Sequence, residues 1–177
     1  MTVTVPEFSR PVRADTLGEG PRSLSIEADE GERAALARRF GLPAIGRLVA
    51  EAALAREGAD VRAAGTVQAD VSQRCVATGE AVPARLAVPF DLLFRRHVDL
   101  ARADEEIELD ESELDVVFYD GASVDIGEAV AETLLLNLDP YPRAPGAEEA
   151  LKAAGVKSED DAGPFAALAG LRDKLKK

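Results

Sequence analysis

The sequence predicts an α+β fold: an antiparallel β-meander sheet with two packed helices and a tethered C-terminal amphipathic helix. Three observations lead there. Val61 to Val71 and Val82 to Phe94 alternate apolar and polar residues with a period of two, the spacing of strands with one buried face. Asp29 with Glu32, and Asp125 with Glu128, have the form of capping boxes, in which each side chain satisfies an exposed backbone N–H at a helix start. Phe165, Leu168, Leu171 and Leu175 recur at helical spacing beyond a stretch rich in Ala, Gly and Pro.

The elements follow in order. Thr2 to Phe8 alternates Val3 and Val5 with threonines and reads as a strand, kept short or at an edge by Pro6 and Pro11. Leu24 and Ile26 mark a second short strand. A helix begins at the Asp29 cap, carries Leu36 and Phe40 on its apolar face, and stops at Gly41 and Pro43. Leu48, Ala50, Ala52 and Leu54 share one face of the next strand, although its alanines also suit a helix. In the strand after it, Val61, Ala63, Gly65, Val67, Ala69 and Val71 face one way. After a turn at Thr78-Gly79, Val82, Leu86, Val88, Phe90, Leu92 and Phe94 do the same. Asp104 to Asp115 is acidic and reads as an exposed loop. Val116 to Tyr119 is a short returning strand before the Asp120-Gly121 turn. A second helix runs from the Asp125 cap to about Asn137, burying Ile126, Ala129, Val130, Thr133 and Leu134. This gives a core domain over 1–142, a flexible linker over 143–163 with one helical turn at Glu148–Lys152, and the terminal helix over 164–177.

Composition narrows the function. With 177 residues, 46% hydrophobic and 31% charged, the chain is that of a folded domain. No apolar run approaches the ~20 residues that cross a bilayer, and the N-terminus reads as no signal peptide. The net charge of −12 repels phosphates and attracts a basic partner. Cys75 is the single cysteine, so neither an internal disulfide nor a cysteine cluster for metal is expected. These features predict a cytoplasmic protein without cofactor, membrane contact or small-molecule substrate.

Catalytic signatures are missing: the chain has no Walker A, GxGxxG, HExxH or GxSxG pattern. His97, the sole histidine, follows Arg95 and Arg96 and reads as a strand-end surface residue. Cys75 has Arg74 beside it, as a reactive thiol would, but counting in twos from Val67 and Val71 through Gln73 puts it on the buried face, where a free cysteine packs as a small hydrophobe. Arg33, Arg38 and Arg39 on the first helix, or Arg62, Arg74 and Arg85 on the open sheet face, offer cations for RNA phosphates. The terminal helix, with Arg172, Lys174, Lys176 and Lys177, either docks on its own domain or folds on a partner.

The strand GTVQADVSQRCVATGEAVPARLAVPFDLLF, then SVDIGEAVAETLLLNLDPYP, then GPFAALAGLRDKLK, taken in that order, resembles the YceD family of large ribosomal RNA subunit accumulation proteins. Many relatives carry Cys-x-x-Cys where this chain has Ser72-Gln73-Arg74-Cys75, so Cys75 matches the second cysteine and Ser72 replaces the first. One thiolate does not hold a structural zinc. Asp125, Glu128 and Glu132 fill the family's acidic positions, and Pro164, Phe165, Leu168 and Leu171 its terminal signature. The resemblance implies a role in accumulation, processing or stability of large-subunit (23S) RNA without a known enzymatic activity. The expected partner is a ribosomal precursor or a basic ribosomal protein. Direct RNA binding, through the sheet arginines and terminal lysines, is the alternative. A thiol enzyme using Cys75 is the least supported reading.

Overall fold

A computed structural model describes residues 6–97 and 115–156. The acidic stretch Asp104 to Leu114, the terminal helix with Pro164, Phe165, Leu168 and Leu171, and the start of the first expected strand lie outside the described residues. Pro6 to Phe8, the end of that strand, is not extended into a ladder. The first strand is instead β1, Pro11–Arg13, which pairs antiparallel with β7, Ser123–Asp125.

The main sheet has five strands in the order β2 (Arg22–Glu27), β3 (Ala44–Glu57), β4 (Asp60–Arg74), β5 (Ala81–Arg96) and β6 (Val116–Tyr119). β2 with β3 and β3 with β4 are antiparallel. Cross-strand ion pairs show the same sense for β4 and β5: Asp60 meets Arg95 and Asp70 meets Arg85, so one strand rises as the other descends. β6 departs from the meander. It lies parallel to β5, with Leu93 opposite Val116 and Arg96 opposite Tyr119. Local alternation carries no information on strand direction, which is why the sequence reading of a simple returning strand gave no hint of this.

The alternation predicted for β3 and β4 is met. Leu48, Ala50, Ala52 and Leu54 are buried, and so are Val61, Ala63, Val67, Ala69 and Val71. The helix propensity of the alanines in β3 loses to burial against neighbouring strands. A bulge between Ile45 and Arg47 absorbs one residue, with Ile45 opposite Val71 and Arg47 opposite Asp70. On β5, Phe90 and Phe94 are buried, while Val82, Leu86, Val88 and Leu92 on the same face are half-buried.

Helix α1, Glu30–Phe40, has the predicted reciprocal cap: Asp29 accepts from the Glu32 N–H, and Glu32 accepts from the Asp29 N–H, each at 2.8 Å. Gly41 ends it at φ 67°, a left-handed cap that suits glycine. Helix α2, Ile126–Leu136, buries Ile126, Ala129, Val130 and Leu134 in the core that the sheet shares with Phe8 and Leu36.

The described residues fall into two compact units: 6–73 with 83–97 and 115–139, and 74–82 with 140–156. The first holds the sheets, α1 and α2. In the second, the stretch read as a linker carries α3, Ala147–Ala153, over the expected helical turn. Ala144 and Ala147 are buried there with Cys75, and half-buried Ala77 and Val82 pack against them.

Two prolines inside β5 have a structural reason. Leu93 and His97 direct their N–H groups at Asp115 and Tyr119 of the β6 side, at 3.0 and 2.9 Å. Pro83 and Pro89 have the same parity, so their missing donors fall on that edge and not on the β4 ladder. Among the described residues, nothing pairs with the β5 edge before Leu93. A proline is a guard against strand addition at such an edge. Pro89→Val is expected to leave the circular dichroism spectrum unchanged but to raise self-association in concentration-series light scattering; a variant as dispersed as the parent would refute the guard.

Candidate functional site

The residues singled out by the sequence divide into three local arrangements. The first is the turn after β4. The Cys75 N–H donates to the Glu80 carbonyl at 2.8 Å and the Gly79 N–H to the Cys75 carbonyl at 2.9 Å, with Gly79 at φ 76°. This closes a tight loop around the thiol, which is 3% exposed. Burial follows the parity argument, but the hydrophobe reading is incomplete. Sγ accepts from the Ala144 N–H at 3.3 Å and the Thr78 N–H at 3.4 Å. Donors aimed at sulfur favour the thiolate over the thiol. First the Ala144 bond and then the Thr78 bond bring Cys75 down from 9.0 to about 7, against the opposing effect of burial. Alternation along β4 carries no trace of Ala144, which approaches from far along the chain. Arg74, immediately before, is exposed.

A thiol with a lowered folded-state value contributes stability that is complete above its unfolded value and is lost as pH falls through the folded one. The melting temperature of the protein is therefore expected to rise, relative to Cys75→Ser, between pH 7 and about 9. A constant difference between the two across that window would contradict the N–H···S assignment.

The second arrangement surrounds Asp125. It caps α2, but differently from a capping box. Its Oδ1 accepts from the backbone of Gly127 at 3.0 Å, Glu128 at 3.2 Å and Arg10 at 2.7 Å, while Oδ2 accepts from the Ser9 hydroxyl. Glu128 does not fold back onto the cap as predicted. Its carboxylate takes both Nη groups of Arg39 on α1, at 2.6 and 3.0 Å, and Arg39 also meets Glu7 at 3.0 Å. A cation that could reach a phosphate is thereby occupied, and Arg39 is held further into its charged form, chiefly by Glu128. Glu132 is exposed one turn on.

The third is the open sheet face. Arg62 donates to Asp91 at 2.6 and 2.8 Å and lies 3.4 Å from Glu57. Arg85 lies 3.3 Å from Asp70, and Arg95 3.2 Å from Asp60. The guanidinium of Arg62 holds Asp91 below the usual carboxylate range. Arg33 donates to the Ala28 carbonyl at 2.6 Å. Neither Arg38 nor Arg74 forms a close ion pair among the described residues, although Arg38 lies near enough to Glu7 to help hold it ionised. His97 stands at the end of β5, edge-on to exposed Phe118 at 5.8 Å between ring centroids. Among the described residues, no group of three acidic, His or Cys side chains is placed to hold a metal ion.

The turn after β4 and the Asp125 cap stand in the same stretch of chain that a family model covers. That model, described as large ribosomal RNA subunit accumulation protein YceD, matches residues 63–172. The chain belongs to the YceD family. No curated protein and no solved structure matched it. Family membership carries a general role in accumulation of large-subunit ribosomal RNA. The YceD match starts inside β4, so β2, β3 and α1 lie before it, yet they build the same core as the matched strands and α2. Arg39, outside the match, is the partner of Glu128 inside it. Asp125 and Glu128 thus have positions in the YceD stretch that are tied to folding contacts. No described helix is long and apolar enough to cross a membrane.

Proposed function

We propose that this YceD protein is a non-enzymatic accessory factor of ribosome biogenesis. In this reading it supports accumulation, processing or stability of 23S RNA by binding a precursor particle or a basic ribosomal protein, in the cytoplasm and without a cofactor. The observation that carries the protein-binding reading is the neutralised sheet face: Arg62, Arg85 and Arg95 each meet a carboxylate of the chain. An RNA phosphate would have to displace those carboxylates, whereas a basic partner meets the remaining acidic surface of a chain with net charge −12. Affinity purification of the full chain, with sucrose-gradient sedimentation and depletion, tests this. Recovery of basic large-subunit proteins is the expected result. Unchanged 23S RNA on depletion, with no co-sedimentation, would end the proposal. The same purification without residues 163–177 assigns the terminal segment.

Direct RNA binding is the second reading, favoured by Arg38 and Arg74, which form no close ion pair among the described residues. It requires affinity for ribosomal RNA that falls steeply with added salt.

A further inference from the structure

A cleft of about 430 Å³ opens at one end of the five-stranded sheet, and Arg56, Arg96 and Tyr119 stand on its wall. Alternation explains why they meet. Arg56 follows buried Leu54 by two residues on β3, and Arg96 follows buried Phe94 by two on β5. Each arginine therefore continues the core-facing side of its strand just past the end of the core. Tyr119 is the partner of Arg96 in the parallel β5–β6 register and packs on the core. The floor is apolar, with Val61 only 1% exposed.

The charge of this cleft is unlike that of the opposite sheet face. There, three arginines are each met by a carboxylate. Here, Arg56 gives its Nε–H to the Gly58 carbonyl at 3.0 Å, and neither Arg56 nor Arg96 forms a close ion pair among the described residues, although Arg56 lies near enough to Asp15 to help hold it ionised. Asp15 is the acidic side chain of the lining, and Arg13 already binds both of its oxygens. Two guanidinium groups thus face one cleft whose single lining carboxylate, among the described residues, is already bound by Arg13. Guanidinium forks match the oxygens of phosphate bidentately. The volume exceeds that of a bare anion and falls within the range of small-ligand sites.

We propose that this cleft binds the phosphoryl group of a nucleotide, with Arg56 and Arg96 as its ligands and the apolar floor beneath the nucleoside. The site departs from the expectation that no small molecule binds. The source of the phosphate is a free mononucleotide or a nucleotide of an RNA strand, and the chemistry at the arginines is the same for both.

The test is calorimetric titration of the full chain with AMP and with a short single-stranded RNA, near 0.15 M salt, where the repulsion of distant carboxylates is screened. Saturable binding of either probe is expected, weakened about tenfold or more in Arg56→Gln and in Arg96→Gln, both at exposed positions that leave the fold intact, a loss on the scale of a charged hydrogen-bonded contact. Arg47→Gln, exposed near the other end of β3, is the control and is expected to bind as the parent does. Binding of AMP marks a free nucleotide as the ligand; binding of RNA alone marks a strand. No binding of either probe, or binding that both cleft variants retain, would overturn the assignment.

Discussion

Gly65→Ala is expected to lower stability by at least ~3 kcal/mol, the upper range for overpacking in a region that cannot relax. Gly65 lies in β4 opposite Ala52 of β3. A Cβ there would overlap the Glu51 carbonyl oxygen and lie 2.8 Å from the Ala52 Cα. Both are backbone atoms of the paired strand, so no rotamer change relieves the clash, and the ladder itself must part. For a chain of this size the loss corresponds to about 10 °C in melting temperature. Ala63→Gly, two residues earlier on the same face, removes a buried methyl without any clash and serves as the comparison; it is expected to lose about 1 kcal/mol from strand flexibility and lost packing. Thermal melts of both variants decide the matter. If Gly65→Ala melts with the parent, the close approach is not a constraint.

Asp125→Ala is expected to cost ~3 kcal/mol, and Asp125→Asn about 1 kcal/mol or less. The alanine variant loses the cap of α2 and orphans the N–H of Arg10, which anchors the segment leading into β1. The asparagine variant keeps an Oδ1 for the three backbone donors, and the Ser9 hydroxyl is free to turn and accept from the new amide. This pair separates folding from partner binding at a residue of the YceD-matched stretch. A destabilised alanine variant beside a near-normal asparagine variant identifies a structural hub. An alanine variant with unchanged melting and lost 23S RNA accumulation would instead make Asp125 a contact residue.

Much of this arrangement was legible in residues 22 to 96 because local pattern and burial agree there. Leu48 to Leu54 and Val61 to Val71 alternate without interruption, and one buried face explains them fully. Asp29 and Glu32 are three apart, a spacing that sets their contact without help from the rest of the chain. Glu128 stands at the same spacing from Asp125, and there the expectation of a reciprocal box failed. Arg39 comes within 2.6 Å of it from α1, and a charged bidentate partner outcompetes a backbone N–H. The fate of Cys75 divides the same way. Parity places it inside, while Ala144, whose N–H alters its acidity, reaches it across 69 positions of sequence.

Read alone, the amino-acid order determined strands β2 to β6, the two caps, the side of the sheet that is greasy and the resemblance to YceD proteins, but not the pairing of β1 with β7. The strands, the caps and the buried side rest on residues a few positions apart, where covalent geometry fixes the spacing. Tertiary structure alone decided the parallel sense of β6, the pairing of Arg62, Arg85 and Arg95 with carboxylates, and the meeting of Arg56 with Arg96. Those depend on which strand ends lie side by side, and a period-two pattern is the same whichever neighbour a strand acquires.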